Sequence, residues 1–181
     1  MERAGGGNST DIWVKYLDQD TPSRLTFLSG NNVNPVWTPD GKNIIFRNNQ
    51  GLYWIRADGA GEAQRLTSLQ NAVYPYSISP DGKRLAFFTG SNDLFTAQIG
   101  GDPAQPKLGK PQLFLGTPFS EFYPAFSPDG RWLAYQSDES GTNEIYVRPF
   151  PGQGGRRQIS ARTSARGHRP LSMATALPPI A

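Results

Sequence analysis

Three aspartates recur in one triplet, Pro39-Asp40-Gly41, Pro80-Asp81-Gly82 and Pro128-Asp129-Gly130. Carboxylates in that number could serve acid–base or metal chemistry. Their recurrence argues otherwise, because an acid at the same turn of every repeat serves the turn. His168 is the only histidine and there is no cysteine. A Ser-His triad, a zinc site and a cysteine nucleophile are therefore not expected within this chain. Gly5-Gly6-Gly7 lacks the lysine and the preceding strand of a phosphate loop and reads as a flexible lead-in. The acidic stretch at 138–144 has oxygen ligands enough for calcium, but a solvated loop is the plainer reading. The expectation is no catalytic residue, no metal and no cofactor.

The elements that carry these triplets repeat as well. Three residues before each Asp stands a large apolar residue, Trp37, Ile78 or Phe126. Four to six residues after it come Ile44-Ile45-Phe46, Leu85-Ala86-Phe87 and Leu133-Ala134-Tyr135. The aspartates lie 41 and 48 residues apart. Pro presets the first corner of a type I turn, Asp suits the second, and Gly permits positive φ. The flanking runs then read as two antiparallel strands, a and b, near 35–38 and 43–47 in the first repeat.

A third strand, c, follows in Gly51-Leu52-Tyr53-Trp54-Ile55, Asp93-Leu94-Phe95-Thr96-Ala97 and Asn143-Glu144-Ile145-Tyr146-Val147. A short strand d closes each repeat at Arg65-Leu66-Thr67, Gln112-Leu113-Phe114 and Arg157-Gln158-Ile159-Ser160. Four strands at a period near 40 residues match a propeller blade. One more c–d pair stands at the front, in Asp11-Ile12-Trp13-Val14 and Arg24-Leu25-Thr26. The predicted fold is all-β, a partial β-propeller of about three and a half four-stranded blades and not a closed ring. Its parts are a lead-in (1–9), a half blade (10–30), blades at 31–69, 70–116 and 117–160, and a disordered tail (161–181).

At these residues the chain resembles the TolB-like β-propellers, whose repeat reads roughly Pro-x-Trp-Ser-Pro-Asp-Gly, Ile-Ala-Phe, then a polar residue with Ile-Tyr-Val. Pro35-Val36-Trp37-Thr38-Pro39-Asp40-Gly41 and Pro124-Ala125-Phe126-Ser127-Pro128-Asp129-Gly130 match it closely. The middle copy, Pro75 to Gly82, holds one extra residue between its prolines, which suggests a bulge. The stretch 137–152 resembles propellers appended to bacterial serine/threonine kinases. The resemblance implies a bacterial, often extracytoplasmic parent and a propeller that binds proteins or peptides. Its blades also occur in kinase sensor regions and in peptidases.

The net charge of +3 does not mark a nucleic-acid partner. Five of the 18 Lys and Arg fall at 156–181 with no acid, which leaves 13 against all 15 acids, a net of −2, for residues 1–155. No run is long and apolar enough to insert in a membrane, and no secretory leader is visible, so the chain as written reads as cytoplasmic. After Ser160 the pattern stops, acids vanish and prolines gather. Residues 161–181 are expected to be a non-native end, with the gene truncated or frame-shifted just after Ser160. Such an arc leaves an apolar blade face bare and is expected to self-associate into ill-defined oligomers.

Function is then expected in loops that differ between blades. In a propeller the d-to-a and b-to-c connections share one face, and the Pro-Asp-Gly turns lie on the other. The candidate binding residues are Asn31, Asn32, Asn34, Asn71, Tyr74, Phe119, Phe122 and Tyr123, with Asn48, Asn92, Glu121, Asp138 and Glu139 beside them. Tyr and Phe among amides suit a protein or peptide. Trp37, Phe46, Phe87, Phe126 and Tyr135 are read as core between blades. The sequence favours a non-catalytic interaction module, with a sensor or gating propeller fragment of a kinase or peptidase as the alternative.

Overall fold

The structure is a computed structural model and describes residues 9–18, 20–67, 73–102, 105–152 and 154–160. The first pair of strands is β1 (Trp13–Val14) with β2 (Ser23–Arg24). Blade 1 orders β3 (Val33–Trp37), β4 (Asn43–Asn48), β5 (Gly51–Arg56) and β6 (Gln64–Thr67). Blade 2 orders β7 (Val73–Ile78), β8 (Arg84–Thr89), β9 (Leu94–Asp102) and β11 (Gln112–Leu115). Blade 3 orders β12 (Glu121–Phe126), β13 (Trp132–Ser137), β14 (Glu144–Pro149) and β15 (Arg157–Gln158). Every pairing is antiparallel. The all-β arc of four-stranded blades, open and not a ring, is as the repeats predict. No helix of the described residues is long and apolar enough to cross a membrane.

The triplets make the turns for which their chemistry suits them. Thr38, Ser79 and Ser127 each donate a hydroxyl to the Asp two residues on, at 2.6 Å. That Asp also accepts the backbone N–H of Lys42, Lys83 or Arg131. The same hydroxyl oxygen takes the N–H that opens the next strand, from Asn43, Arg84 or Trp132. Gly41, Gly82 and Gly130 sit at φ +69°, +72° and +69°, where a Cβ would be strained. These hydrogen bonds hold the Asp40, Asp81 and Asp129 carboxyls below the usual carboxylate range. The aspartates are turn residues.

The b strands of blades 1 and 2 are apolar on both faces because those blades are covered on both sides. Ile44 and Phe46 join a cluster with Ile12, Val14 and Leu25 of the half blade, while Ile45 joins Leu85 and Phe87 of blade 2. Phe88, on the other face of β8, packs with Tyr135 and Tyr146 of blade 3. Fully burying one such side chain contributes about 1.5–3 kcal/mol. Blade 3 turns Leu133, Tyr135 and Tyr146 inward. Its other face carries the cross-strand row Ala125, Ala134 and Val147, which no described blade covers.

Four features depart from the sequence reading. Trp37 is 48% exposed rather than core. It pairs with Ile44 on the side facing the half blade, whose outer strands cover Ile44 but whose inner strands are lacking among the described residues. Phe126 is only partly buried and meets Phe150 edge-on at 4.9 Å. The bulge is not peculiar to the middle copy, since the register slips between Val33 and Val36, between Pro75 and Ser77, and between Phe122 and Ala125. An additional strand, β10 (Gln105–Leu108), folds back on the outer half of β9. The tail at 161–181 lies outside the described residues.

Candidate functional site: the loop end of the inner strands

The bulges place residues from three inner strands side by side. Asn34 and Tyr123 are at φ +53° and +56°, each immediately before a proline. That conformation is uncommon for any residue but glycine and is strained for an aromatic. It turns the Tyr123 ring over blade 2, 5.0 Å from Tyr76 and 6.0 Å from Phe88, while half of the residue stays exposed. Phe88 is the buried hub. Tyr74 stacks on it at 4.6 Å, and Phe122 meets it edge-on at 5.2 Å. The Arg47 guanidinium stands 4.5 Å from the centre of the Tyr74 ring, a cation–π contact that fixes Tyr74 from the side of blade 1.

Among these rings, burial pushes the Tyr76 hydroxyl above its ordinary range, with Tyr123 adding to the shift and a hydrogen bond with the Asn34 side chain opposing it. Asn34, Tyr74, Phe122 and Tyr123 thus converge, as expected of a shared face. Phe119, 45% exposed on the loop entering blade 3, and Asn31, also exposed, lie at the same end of the strands. Asn71 falls outside the described residues.

Asn32 does not join this surface. It is buried, donates to Asp11 Oδ1 and the Leu28 carbonyl at 3.1 Å, and accepts from Asn48 at 2.8 Å. With all three polar partners internal, it ties the half blade to blade 1. The sequence does not single out Tyr76, Phe88 or Arg47. The extra residue between the prolines of blade 2 was the available signal for Tyr76.

The loops behind the aromatic wall are stitched together. The Asn92 carbonyl accepts the Glu121 N–H at 2.8 Å, and Asp138 Oδ1 accepts the Ser120 N–H at 2.9 Å. Glu139 pairs with Arg156 at 2.7 Å. Glu121 is 1% exposed, accepts from the Thr117 hydroxyl through Oε1, and has no partner for Oε2. Burial pushes its carboxyl above the usual range, and the charges of Asp93 and Glu139 push the same way. Tyr74, Phe122 and Tyr123 make this end an aromatic surface edged by the Asn34 amide.

No family model matches the chain. It is 32% identical over 95 residues to a TolB homologue of Chlamydia muridarum, an alignment covering 41% of this chain and 22% of that protein. TolB of Acinetobacter baumannii superposes with a TM-score of 0.61 at 23% identity, over 84% of this chain and 38% of that one. A puromycin-hydrolysing peptidase of Mycobacterium tuberculosis superposes at 0.57 with 18% identity, over 80% and 26%. The chain spans less than half the length of the curated relatives it matches, 46%, 28% and 22% of them. With three turn-locked four-stranded blades and these neighbours, the fold is that of the TolB-like β-propellers, here as an open arc.

Proposed function

We propose that this chain is a non-catalytic protein- or peptide-binding propeller segment, with the aromatic wall of Asn34, Tyr74, Tyr76, Phe122 and Tyr123 as its contact surface. The carrying observation is Tyr123, a half-exposed ring held in left-handed backbone on top of a packed aromatic cluster. A strained residue persists where its surroundings over-determine it, and an aromatic platform with low remaining freedom is a good anchor for a partner. The repeat-locked aspartates are consumed by their turns, and this supports a role in contact rather than turnover. The likeness to a peptidase favours a second reading, in which the same wall gates or senses for a catalytic domain outside this chain. Both readings put binding at one surface.

A random-peptide display library panned on the intact chain tests this. Peptides enriched on the wild-type protein are expected to bind roughly tenfold or more weakly to Tyr123→Asn, as for loss of an aromatic hot spot. Equal binding to both proteins overturns the assignment.

A further inference from the structure

Where blades 2 and 3 meet at the turn end, an arginine stands among aromatic rings. Arg84 opens β8 just after the second Pro-Asp-Gly turn, and its guanidinium carbon lies 5.8 Å from the centre of the Phe150 ring, just past β14. Phe150 in turn meets Phe126 at 4.9 Å and Phe114 at 5.9 Å. We propose that this site, at the opposite end of the strands from Tyr123, binds an aspartate or glutamate side chain presented by an extended apolar peptide segment.

The guanidinium is held in place and yet lacks a counter-charge. Its Nη1 donates to Gln112 Oε1 at 2.9 Å and to Thr96 Oγ1 at 3.3 Å, both neutral. Among the described residues no carboxylate pairs with Arg84. Asp81, three residues earlier, is bonded to the Ser79 hydroxyl and the Lys83 N–H of its own turn. The edge formed by Nε–H and Nη2–H therefore meets no acceptor among the described residues, and those two donors are the fork that takes a carboxylate side-on. Arg56 shows the same edge engaged, with Nε and Nη2 both donating to the Asp58 carboxylate. Arg84 is only partly exposed, so a pair formed there is screened less than one in open solvent. The bonds to Nη1 and the stack on Phe150 already remove rotamer freedom that a free arginine would lose on binding.

These parts break the repeat. The positions equivalent to Arg84 are Asn43 and Trp132, and those equivalent to Phe150 are Ala57 and Ile99. The seam between blades 1 and 2 closes with Asn43 and Ile99 at these places, so packing alone does not call for the arginine. Features that differ between blades are available for contact, where shared ones serve the fold. Phe126 ends an inner strand and Phe114 lies on an outer one, so apolar surface runs both inward and outward from Phe150. A segment crossing the seam lays apolar side chains on both, with its acid at Arg84. A free chain end reaches one side only, which favours an internal acidic residue.

The test titrates the full chain with acetyl-Leu-Glu-Leu-amide, with its glutamine analogue, and with acetyl-Leu-Leu bearing a free C-terminal carboxylate. Arginine Nε–H resonances are followed by NMR, and that of Arg84 is identified by its loss in Arg84→Lys. It is expected to shift saturably with the glutamate peptide, and the other two peptides should bind at least about tenfold more weakly. Binding should weaken as ionic strength rises from about 0.01 to about 1 M, where the screening length falls from about 30 to about 3 Å. Gln112→Glu puts a carboxylate of nearly the same shape beside Nη1 and so supplies the counter-charge from within. That variant is expected to bind the glutamate peptide at least about tenfold more weakly, with its melting midpoint not lowered and its Tyr123-dependent binding unchanged. Equal affinity for the glutamate and glutamine peptides, preference for the free chain end, no saturable shift, or full binding by folded Gln112→Glu overturns the proposal.

Discussion

The seam between blades 1 and 2 and the seam between blades 2 and 3 occupy the same repeat positions with different chemistry. The first is mainly aliphatic, with Ile45, Leu52, Val73, Ile78, Leu85 and Ala97 packed around Phe87. The second is aromatic, with Phe88, Tyr135 and Tyr146 buried and Tyr74, Tyr76 and Phe122 partly so. Each keeps its unpartnered polar atoms at one end. In the first seam Trp54, with its unpartnered Nε1, lines a groove at the turn end, whereas in the second Glu121 Oε2 and the Tyr135 hydroxyl are orphaned within reach of the loop-end charges of Glu139. Burial lifts that Tyr135 hydroxyl to about 12. The difference teaches that one repeat can weld blades with its shared apolar positions and still vary the ends of each seam for contact.

The largest effect is expected where the aliphatic seam is cut. Leu85 is fully buried between blades 1 and 2, and Leu85→Ala should cost about 3 kcal/mol, through lost burial and the cavity left behind. Urea unfolding measures it, and a cost below that of Tyr123→Asn would break the contrast between the seams.

The aromatic seam should instead betray itself through pH. The Glu121 carboxyl is raised in the folded state above its ordinary value of 4.5, so folding favours its protonated form. Its stabilising contribution is complete below about pH 4.5 and is lost as pH rises through the raised value. The Asp40, Asp81 and Asp129 carboxyls are lowered from 3.8, so their contribution is present above that value and is lost as pH falls further. The two windows lie on opposite sides of pH 4. Melting midpoints across pH 4–8 should therefore decline for the wild type and flatten for Glu121→Gln. Parallel curves would remove Glu121 from the account.

Much of this architecture is legible in the sequence because its carriers are local. A hydroxyl two residues before each Asp, a proline between them and a glycine after it fix the turn wherever they occur. The b strands declare themselves through unbroken apolar runs such as Ile44-Ile45-Phe46. What was not legible depends on distant neighbours. Trp37 reads as core because it is an aromatic at a repeat-locked position, yet it faces the half blade, whose inner strands are lacking among the described residues. Asn32 reads as a surface amide until Asp11 and Asn48 are placed around it. Strand β10 hides in Gln105-Pro106-Lys107-Leu108, a polar stretch with a proline. It forms because Gly101 reaches φ +85° where a Cβ would lie 2.6 Å from the Gln105 carbonyl oxygen.

Smaller effects are expected at the turns. Ser127→Ala removes one donated and one accepted hydrogen bond at an exposed turn and should cost about 1 kcal/mol. Thr38→Ala and Ser79→Ala should match it within about 0.5 kcal/mol, since the three turns share one bonding pattern. Urea midpoints that differ widely among the three would show that the turns are not equivalent. The smallest stability change is expected on the uncovered face of blade 3, where Val147→Lys should shift stability by about 0.5 kcal/mol or less. If the row Ala125, Ala134 and Val147 drives association, analytical ultracentrifugation should show smaller species for Val147→Lys than for the wild type.

Measuring peptide affinity and urea midpoint on the same Tyr123→Asn protein tests the central claim most directly. Asparagine accepts the left-handed backbone, as Asn34 does at the equivalent bulge, so stability should stay within about 1 kcal/mol of wild type. Library-selected peptides should lose roughly tenfold or more in affinity. Affinity retained alongside an intact midpoint would contradict the assignment of the aromatic wall as the contact surface.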